Sequence, residues 1–215
     1  MLATLVSEPF DRPGWDYEEK YDGDRILAYK EGKRVRLLSR NAKERTERFP
    51  RIVEAIGRLR PDTLVLDGEV VVFDQQRVSR FQLLQQAKGE PVYVVFDCLY
   101  SAGTDLRAQP LSRRRAVMQR SLRLSPVLQP SQQLATNGLE AFRIAKRKGY
   151  EGLVAKDLSS PYVGARTNYW LKVKVHQEDE FVIAGYTKPT GARKHFGALL
   201  LGAYDGARLR YVGKV

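Results

Sequence analysis

The sequence predicts an α+β fold in two unequal parts. Up to about residue 177, apolar runs typical of strands alternate with segments whose apolar residues recur at helical spacing. Beyond residue 178 only strand-like segments follow. Hydrophobic residues make up 43% of the 215 residues and aromatic residues 10%, which is enough to form a packed core. We therefore expect a large domain over residues 1–177, with antiparallel sheets and flanking helices, and a small β domain over residues 178–215.

The larger part begins with a loop-rich entry, Met1–Trp15, which contains two prolines. Strands are predicted where short apolar or alternating runs are bounded by turn residues. Helices are predicted where apolar residues recur every three or four positions. The predicted strands are Tyr17–Glu19, Arg25–Lys30, Arg34–Leu38, Leu64–Phe73, Val92–Asp97, Gly152–Lys156 and Tyr169–Val175. The predicted helices are Arg48–Leu59, Phe81–Lys88, Leu111–Leu122 and Leu139–Lys148, the last of which ends at Gly149.

Three strands are predicted in the smaller part: Phe181–Tyr186, Ala198–Tyr204 and Arg208–Val212. The dipeptide Asp205-Gly206 between the last two is a strong signal for a β-hairpin. Three strands are fewer than the five of an oligonucleotide-binding (OB) barrel. We therefore expect this part to be an incomplete barrel.

Composition limits the classes of function. The formal net charge of +12, from 37 Lys and Arg against 25 Asp and Glu, favours a polyanionic partner such as nucleic acid. The alternative is a generally basic protein without such a partner. Cys98 is the only cysteine, which excludes an internal disulfide, and His176 and His195 are too few for a zinc motif. The apolar runs are too short to cross a bilayer and no secretory signal is visible, so we expect an intracellular protein.

The stretch Glu18–Arg25 concentrates reactive groups in eight residues. Lys20 becomes an effective nucleophile only if its pKa is lowered from about 10.4 by burial, neighbouring cations or a metal. Asp22 can orient that amine or hold a metal beside it. Gly23 allows a ligand to approach the backbone, and Arg25 can bind phosphate or ribose oxygens. The alternative is an exposed charged turn.

Other positions add related chemistry further along the chain. Glu69 lies in an apolar strand, where a carboxylate is costly unless it is paired or binds a metal or a sugar hydroxyl. Lys172 and Lys174 alternate with apolar residues, so both ammonium groups lie on one strand face and suit a triphosphate. Glu151 stands at a strand edge, and Phe96 could stack on a base. Each residue has an alternative interpretation. Glu69 could pair with a buried arginine, and Lys172 and Lys174 could form a solvated sheet face. Glu151 could be a cap or an edge charge, and Phe96 could be a core residue.

The order of these groups resembles the covalent nucleotidyltransferase superfamily of ATP-dependent DNA ligases, RNA ligases and mRNA capping enzymes. The first motif of that superfamily is Lys-x-Asp-Gly-x-Arg, which stands here as Lys20–Arg25. The resemblance covers essentially the whole chain, which makes it specific. The further matching motifs are Ser39–Asn41, Asp67–Glu69, Val95–Asp97, Glu151–Lys156 and Trp170–Lys174.

Within the superfamily the chain is most similar to the ligase domain of bacterial ligase D, the end-joining enzyme. The similarity includes Met1–Leu5, Leu37–Asn41 and Phe181–Thr187. Asp24 stands where an aromatic residue is common in that group, and Ala42 where glycine is common. The family fold is a nucleotidyltransferase (ATP-grasp-like) domain of two antiparallel sheets around a nucleotide cleft, followed by an OB-fold barrel.

The resemblance implies ATP-dependent DNA ligation through a lysyl-AMP intermediate on Lys20. It implies that Lys172 and Lys174 hold the α-phosphate and depress the pKa of Lys20, and that Asp22 orients Lys20 or assists the metal. It also implies that Glu69 and Glu151 lie near Mg²⁺ or Mn²⁺. The other implied nucleotide contacts are Glu18 to the adenine edge, Arg25 to the ribose, Arg40 to a phosphate, and Phe96 and Val154 to the two faces of adenine.

The family's last motif, late in the barrel, is absent from this sequence, so we expect weak self-adenylation but sealing of a nick that is already adenylated. The expected partner is nicked or broken double-stranded DNA, and no membrane partner is expected. We expect the protein to be a monomer in the cytoplasm, associated with the nucleoid. Ku and polymerase or phosphoesterase domains are further candidate partners. The alternatives are an RNA ligase, a capping-type guanylyltransferase and a non-catalytic DNA-binding module of this fold.

Overall fold

The computed structural model describes residues 1–123, 125–175, 181–189 and 195–215. The chain divides into two compact units, Met1–Val175 and His176–Val215. The predicted domain boundary between residues 177 and 178, and also His176, lie outside the described residues.

The larger unit combines strands and helices. In chain order its strands are β1 (Leu2–Val6), β2 (Trp15–Glu19), β3 (Asp24–Glu31), β4 (Arg34–Ser39), β5 (Thr63–Val71), β6 (Val92–Ser101), β7 (Thr104–Asp105), β8 (Leu128–Pro130), β9 (Gln133–Ala135), β10 (Gly152–Asp157) and β11 (Arg166–Lys174). Its helices are α1 (Pro50–Gly57), α2 (Phe81–Gln85), α3 (Leu111–Ser121) and α4 (Gly138–Lys148).

The first sheet has the strand order β1-β11-β10-β2-β9. Its pairs are antiparallel except β1 with β11, which are parallel. The expectation that Met1–Trp15 is a loop-rich entry is therefore wrong for Leu2–Val6. The partner strand of β1 lies at the far end of the unit's sequence, so no local pattern signals the pairing.

The second sheet has the order β4-β3-β5-β6-β7, and β8 pairs with β6 in parallel. Both sheets are mainly antiparallel, as predicted, and each contains one parallel pair that was not predicted. The apolar face of this sheet forms the main core, in which Ile26 and Leu37 are buried together with Ile52 and Ile56 of α1.

The helices keep the predicted positions: the first three are shorter than predicted, and α4 begins one residue earlier, at Gly138. Proline is compatible with the first helical position, and α1 begins at Pro50, after a 3₁₀ turn over Thr46–Arg48. The Asn137 side chain accepts hydrogen bonds from two backbone N–H groups at the start of α4. Gly149 ends α4 as predicted, in the left-handed conformation at φ 69°.

Helix α3 is fixed to the second sheet by a buried ion pair. Arg114 donates to both carboxylate oxygens of Asp97, at 2.8 and 2.7 Å, and both side chains are fully buried. The third guanidinium nitrogen of Arg114, Nη1, donates to the backbone oxygens of Gln109 and Ser160. These bonds compensate the cost of burying the charge.

The smaller unit contains β12 (Val182–Tyr186), β13 (Leu199–Asp205) and β14 (Arg208–Lys214), paired antiparallel in that order. Gly206 turns the chain between β13 and β14 at φ +60°, so the hairpin prediction is confirmed. The completion of this sheet into an OB barrel stays a prediction.

Within the described residues, no helix is both long enough and apolar enough to span a membrane.

Candidate functional site

A cavity of about 170 Å³ in the larger unit collects most of the predicted site residues. Both sheets supply its walls, and the Lys20 segment connects them. The predicted residues that line it are Glu18, Lys20, Arg25, Arg40, Glu69, Phe96, Val154 and Lys172.

Strand register explains why residues far apart in sequence meet here. In the first sheet Val154 of β10 lies opposite Glu18 of β2 on one side and Lys172 of β11 on the other. Directly paired residues point to the same face of a sheet. In the second sheet Arg25 of β3 lies opposite Glu69 of β5.

Lys20 follows β2 and is fixed at both its backbone and its side chain. Its backbone N–H donates to the Gly152 oxygen at 3.0 Å, and its ammonium group is ion-paired with Glu151. The other oxygen of Glu151 lies 3.5 Å from the ammonium of Lys174. The two lysines therefore share one carboxylate, which was expected near a metal.

Gly152 permits this close approach of β10 to β11. A Cβ atom on residue 152 would lie 2.1 Å from the backbone oxygen of Val173. Any side chain there would push apart β10, which Glu151 directly precedes, and β11, which carries Lys174.

Asp22 is not among the residues that line the cavity, and the expectation that it orients Lys20 or assists the metal stays a prediction. Its backbone N–H donates to the Ser79 hydroxyl at 3.0 Å, and its carboxylate accepts from the Phe81 N–H at 3.1 Å. Asp22 therefore fastens the segment after Lys20 to the start of α2, while the partner of the Lys20 ammonium is Glu151.

Lys172 supplies positive charge to the wall. Burial lowers the pKa of Lys172, and the charges of Lys20, Arg166 and Lys174 lower it further, against an opposing effect of Glu151. A cation surrounded by other cations binds an anion favourably, because the anion relieves the repulsion.

Arg25 is held at one end of the cavity by a buried carboxylate. Its Nε and Nη2 donate to the two oxygens of Asp67 at 3.0 and 2.6 Å. Its guanidinium carbon lies 5.4 Å from the centre of the Phe96 ring and 5.6 Å from that of Trp170. The orientation of Arg25 is thus set by the protein before any ligand binds.

Glu69 is a partly buried carboxylate that lacks a direct partner. Across the described residues its side chain forms neither a hydrogen bond nor an ion pair. Burial raises the pKa of Glu69 to about 8, although the charges of Arg25 and Lys20 act in the opposite direction. A cation or a hydroxyl donor in the cavity would satisfy this group.

Glu18 also lines the cavity and is only 2% exposed. Its Oε2 accepts hydrogen bonds from the Ser131 hydroxyl at 2.6 Å and from the Lys156 ammonium at 2.7 Å. That ammonium lies 4.2 Å from the centre of the Phe96 ring and 4.5 Å from the centre of the Trp170 ring.

Lys156 and Trp170 both line the cavity, and no role was predicted for either. Both belong to motifs quoted from the sequence, and they pair with each other across β10 and β11. The alternation that places Lys172 in the wall also places Trp170 there, so period-2 spacing could have identified it.

In the described part of the chain, no group of three or more His, Cys, Asp or Glu side chains is arranged to hold a metal ion. Of the two carboxylates expected near the metal, Glu69 lines the cavity and Glu151 is ion-paired with Lys20, which lines it. Two carboxylates are compatible with Mg²⁺, which keeps several waters and takes further oxygens from substrate phosphates.

Comparison with known proteins identifies close relatives. A family model described as the ATP dependent DNA ligase domain matches residues 1–174. The multifunctional non-homologous end joining protein LigD of Pseudomonas aeruginosa is 43% identical over 224 residues, which cover 100% of this chain and 26% of the relative. The chain therefore spans about a quarter of that relative's length.

Two further matches cover a larger share of the matched protein. The SPbeta prophage-derived DNA ligase-like protein LigB of Bacillus subtilis is 35% identical over 196 residues, covering 87% of this chain and 71% of the relative. A structure of mycobacterial DNA ligase D complexed with ATP and MES matches with a TM-score of 0.74 and 29% identity, covering 100% of this chain and 70% of that one.

Proposed function

Because this chain belongs to the ATP-dependent DNA ligase domain family, we propose that it joins DNA strands by adenylyl transfer, with Lys20 as the nucleophile. The observation that carries the proposal is the placement of Lys20 in a cavity wall, ion-paired with Glu151 and close to Lys172. The proposal assigns residues 1–177 to the adenylation domain and 178–215 to strands of an OB-fold domain.

In the first step the neutral amine of Lys20 attacks the α-phosphorus of ATP. A phosphorus–nitrogen bond forms, the bond to the β-phosphate oxygen breaks, and pyrophosphate leaves. Glu151 is placed to take the proton that Lys20 loses, because it already accepts a hydrogen bond from that group. Lys172 and Lys174 offset the negative charge of the phosphoryl oxygens.

In the second step an oxygen of a DNA 5′-phosphate attacks the phosphorus of lysyl-AMP, and the amine of Lys20 leaves. In the third step the DNA 3′-hydroxyl attacks the adenylated 5′-phosphate. A phosphodiester bond forms and AMP leaves. Only the first two steps make or break a bond to Lys20.

The rest of the cavity matches the other parts of the nucleotide. Arg25 and Glu69 lie opposite each other and can contact the ribose hydroxyls. Phe96 and Val154 offer apolar surface to the base, and Glu18 can accept a hydrogen bond from its edge. Arg40 is exposed at the cavity mouth and can bind a phosphate of AMP or of the nick.

Mg²⁺, or Mn²⁺ in its place, fits the donor set of Glu69 and Glu151. It would supply positive charge to the phosphate oxygens. The raised pKa of Glu69 is consistent with a carboxylate that lacks a neutralising partner in the protein alone.

The DNA partner is supported by the net charge of +12. Contacts between basic side chains and DNA phosphates give an affinity that depends little on DNA sequence and steeply on salt concentration. Involvement in end joining is proposed from the likeness to ligase D proteins. The enzyme is further proposed to be cytoplasmic and monomeric. Its proposed partners are Ku and polymerase or phosphoesterase domains.

Two assays on the same preparation test the function. With ATP labelled at the α-phosphate, the protein should acquire label that Lys20→Ala abolishes, and label at the γ-phosphate should not be retained. With a nicked duplex that is already adenylated, Lys20→Ala should still seal, since the third step makes no bond to Lys20. Labelling of Lys20→Ala, or transfer of label from GTP in preference to ATP, would contradict the proposal.

A further inference from the structure

Arg115 is a charged residue of α3 that the proposed mechanism does not use. Its side chain is 16% exposed and is ion-paired with two carboxylates of β2, those of Asp16 and Glu18. These carboxylates lie two positions apart on one strand and are 4% and 2% exposed. Arg115 therefore reaches from the helix into a buried cluster of charges.

Helix α3 does not depend on Arg115 for its position. Arg114 attaches it to β6 through Asp97, with both side chains fully buried. The backbone N–H groups of Leu111 and Ser112 donate to the backbone oxygens of Ser160 and Leu158 at 3.0 and 2.9 Å. A role for Arg115 in docking the helix would duplicate these contacts.

Arg115 instead completes the environment of the Glu18 carboxylate. Ser131 and Lys156 both bind Oε2, and Arg115 is the partner of Oε1. Lys156 and Glu18 line the proposed nucleotide cavity. Arg115 lines a separate cavity of about 270 Å³ that shares Phe96 with the first. Arg115 is not among the residues that line the first cavity, so it would act on a bound nucleotide through Glu18, with which it is ion-paired, and through the effect of its charge on Lys156.

The orientation of Glu18 matters because an ionised carboxylate only accepts hydrogen bonds. The exocyclic group at position 6 is a donor in adenine and an acceptor in guanine. A carboxylate fixed beside that group favours adenine and opposes guanine. A carboxylate that can turn away loses the hydrogen bond to adenine and the repulsion of guanine together.

We propose that Arg115 is a positioning residue that fixes the Glu18 carboxylate and thereby makes the cavity selective for adenine nucleotides. The inference rests on the proposed function, because it takes a purine nucleotide as the ligand. With Arg115 in place, the Glu18 carboxylate has an ion-pair partner at Oε1 and two hydrogen-bond donors at Oε2, and it presents one orientation to the base. Without it, Oε1 loses its cation while Oε2 keeps its partners.

The test compares Arg115→Met with two matched variants. Arg115→Lys retains the charge, and Arg113→Met removes an exposed arginine two positions earlier on the same helix. Dissociation constants for ATP and GTP are measured by calorimetry, and the rate and KM of Lys20 adenylation are measured with labelled ATP. Thermal unfolding of each variant checks that it is folded.

We expect Arg115→Met to weaken ATP binding about tenfold and to reduce the preference for ATP over GTP about tenfold. The KM for ATP in the adenylation reaction should rise together with the dissociation constant, while the maximal rate of adenylation changes less than about threefold. Arg115→Lys should restore most of the preference, and Arg113→Met should leave both constants unchanged.

An unchanged ratio of ATP to GTP affinity in a folded Arg115→Met variant would overturn the inference. So would an equal loss in Arg113→Met. If the unaltered protein binds ATP but forms no adduct, the proposed function fails while the binding ratio still decides the role of Arg115. If it binds no purine nucleotide, both fail.

Discussion

Lys20 and Glu151 form an ion pair although 131 positions of sequence separate them. The second oxygen of Glu151 lies 3.5 Å from Lys174, so this carboxylate connects the proposed nucleophile to a second cation. The lysine must lose a proton before it attacks phosphorus, and Glu151 is the group placed to accept it.

Replacement of Glu151 by Gln should therefore slow adenylation. The amide keeps the shape of the side chain but cannot accept the proton, and general base catalysis typically contributes about 10²–10⁴-fold. We expect a loss of about 10²–10³-fold in the rate of adduct formation in single-turnover assays. Glu140→Gln is the matched control, since Glu140 is paired with Arg143 on the surface of α4. Equal rates for the two variants would exclude the role of Glu151.

Lys172→Met should stabilise the protein and weaken its binding of ATP. The pKa of Lys172 is lowered by burial and by neighbouring cations. At pH values between the lowered pKa and the ordinary value of 10.5, the unfolded state binds more protons at this lysine than the folded state does. At lower pH the lysine is charged in both states, and its charge then destabilises the folded state. We expect a rise of about 1–3 °C in Tm with a roughly tenfold weaker affinity for ATP.

The control for that prediction is Lys174→Met. Lys174 has Glu151 as a partner, so its removal should not raise Tm. A lower Tm for Lys172→Met than for the unaltered protein would show that the cation is satisfied in the folded state.

Glu69 should make stability depend on pH. Its pKa is raised by burial from 4.5 to about 8, so the folded state keeps a proton that the unfolded state has released. Stability should therefore fall as pH rises from about 4.5 to 8, by roughly 2 kcal/mol for this partly exposed group.

Denaturant unfolding between pH 5 and 8.5, in buffer with a chelator, measures this effect. Glu69→Gln should make the fall smaller by about this amount, and the two curves should converge near pH 5, while the raised pKa of Glu19, about 7, leaves a remaining fall in both proteins. Parallel curves for the two proteins across the whole range would mean that Glu69 is ionised throughout.

Loss of one partner of the Arg114–Asp97 pair should destabilise the larger unit strongly. Both side chains are fully buried, so Arg114→Met leaves an uncompensated carboxylate, at a cost of about 3–5 kcal/mol. The exposed pair of Arg58 and Glu54 supplies the control, since Arg58→Ala should change the free energy of unfolding by less than about 0.5 kcal/mol. If urea unfolding gives similar losses of free energy for Arg114→Met and Arg58→Ala, Arg114 is not the residue that anchors α3.

The sequence alone identified much of the cavity because its residues lie in short motifs on regular strands. Lys172 was predicted from alternation, and Glu69 from a carboxylate in an apolar strand. Both follow from local patterns, and the structure places both in the cavity wall. The roles of these residues remain proposals.

What sequence reasoning missed depends on tertiary pairing. Asp22 was expected beside Lys20, and its contact with the Phe81 N–H was not predicted. Arg115 was predicted only to lie in the helix Leu111–Leu122, since its contact with Glu18 joins elements almost a hundred positions apart. Strand β1 was missed because it pairs with β11, at the other end of the larger unit.

The central claim is that Lys20 carries AMP. Intact-mass measurement after incubation with ATP and Mg²⁺, followed by peptide mapping, tests it most directly. We expect a mass gain of one AMP, localised to the peptide that contains Lys20, lost in Lys20→Ala and reversed by added pyrophosphate. No mass gain in the unaltered protein after an incubation long enough to reveal weak self-adenylation, or an AMP adduct that persists in Lys20→Ala, would contradict the assignment of Lys20.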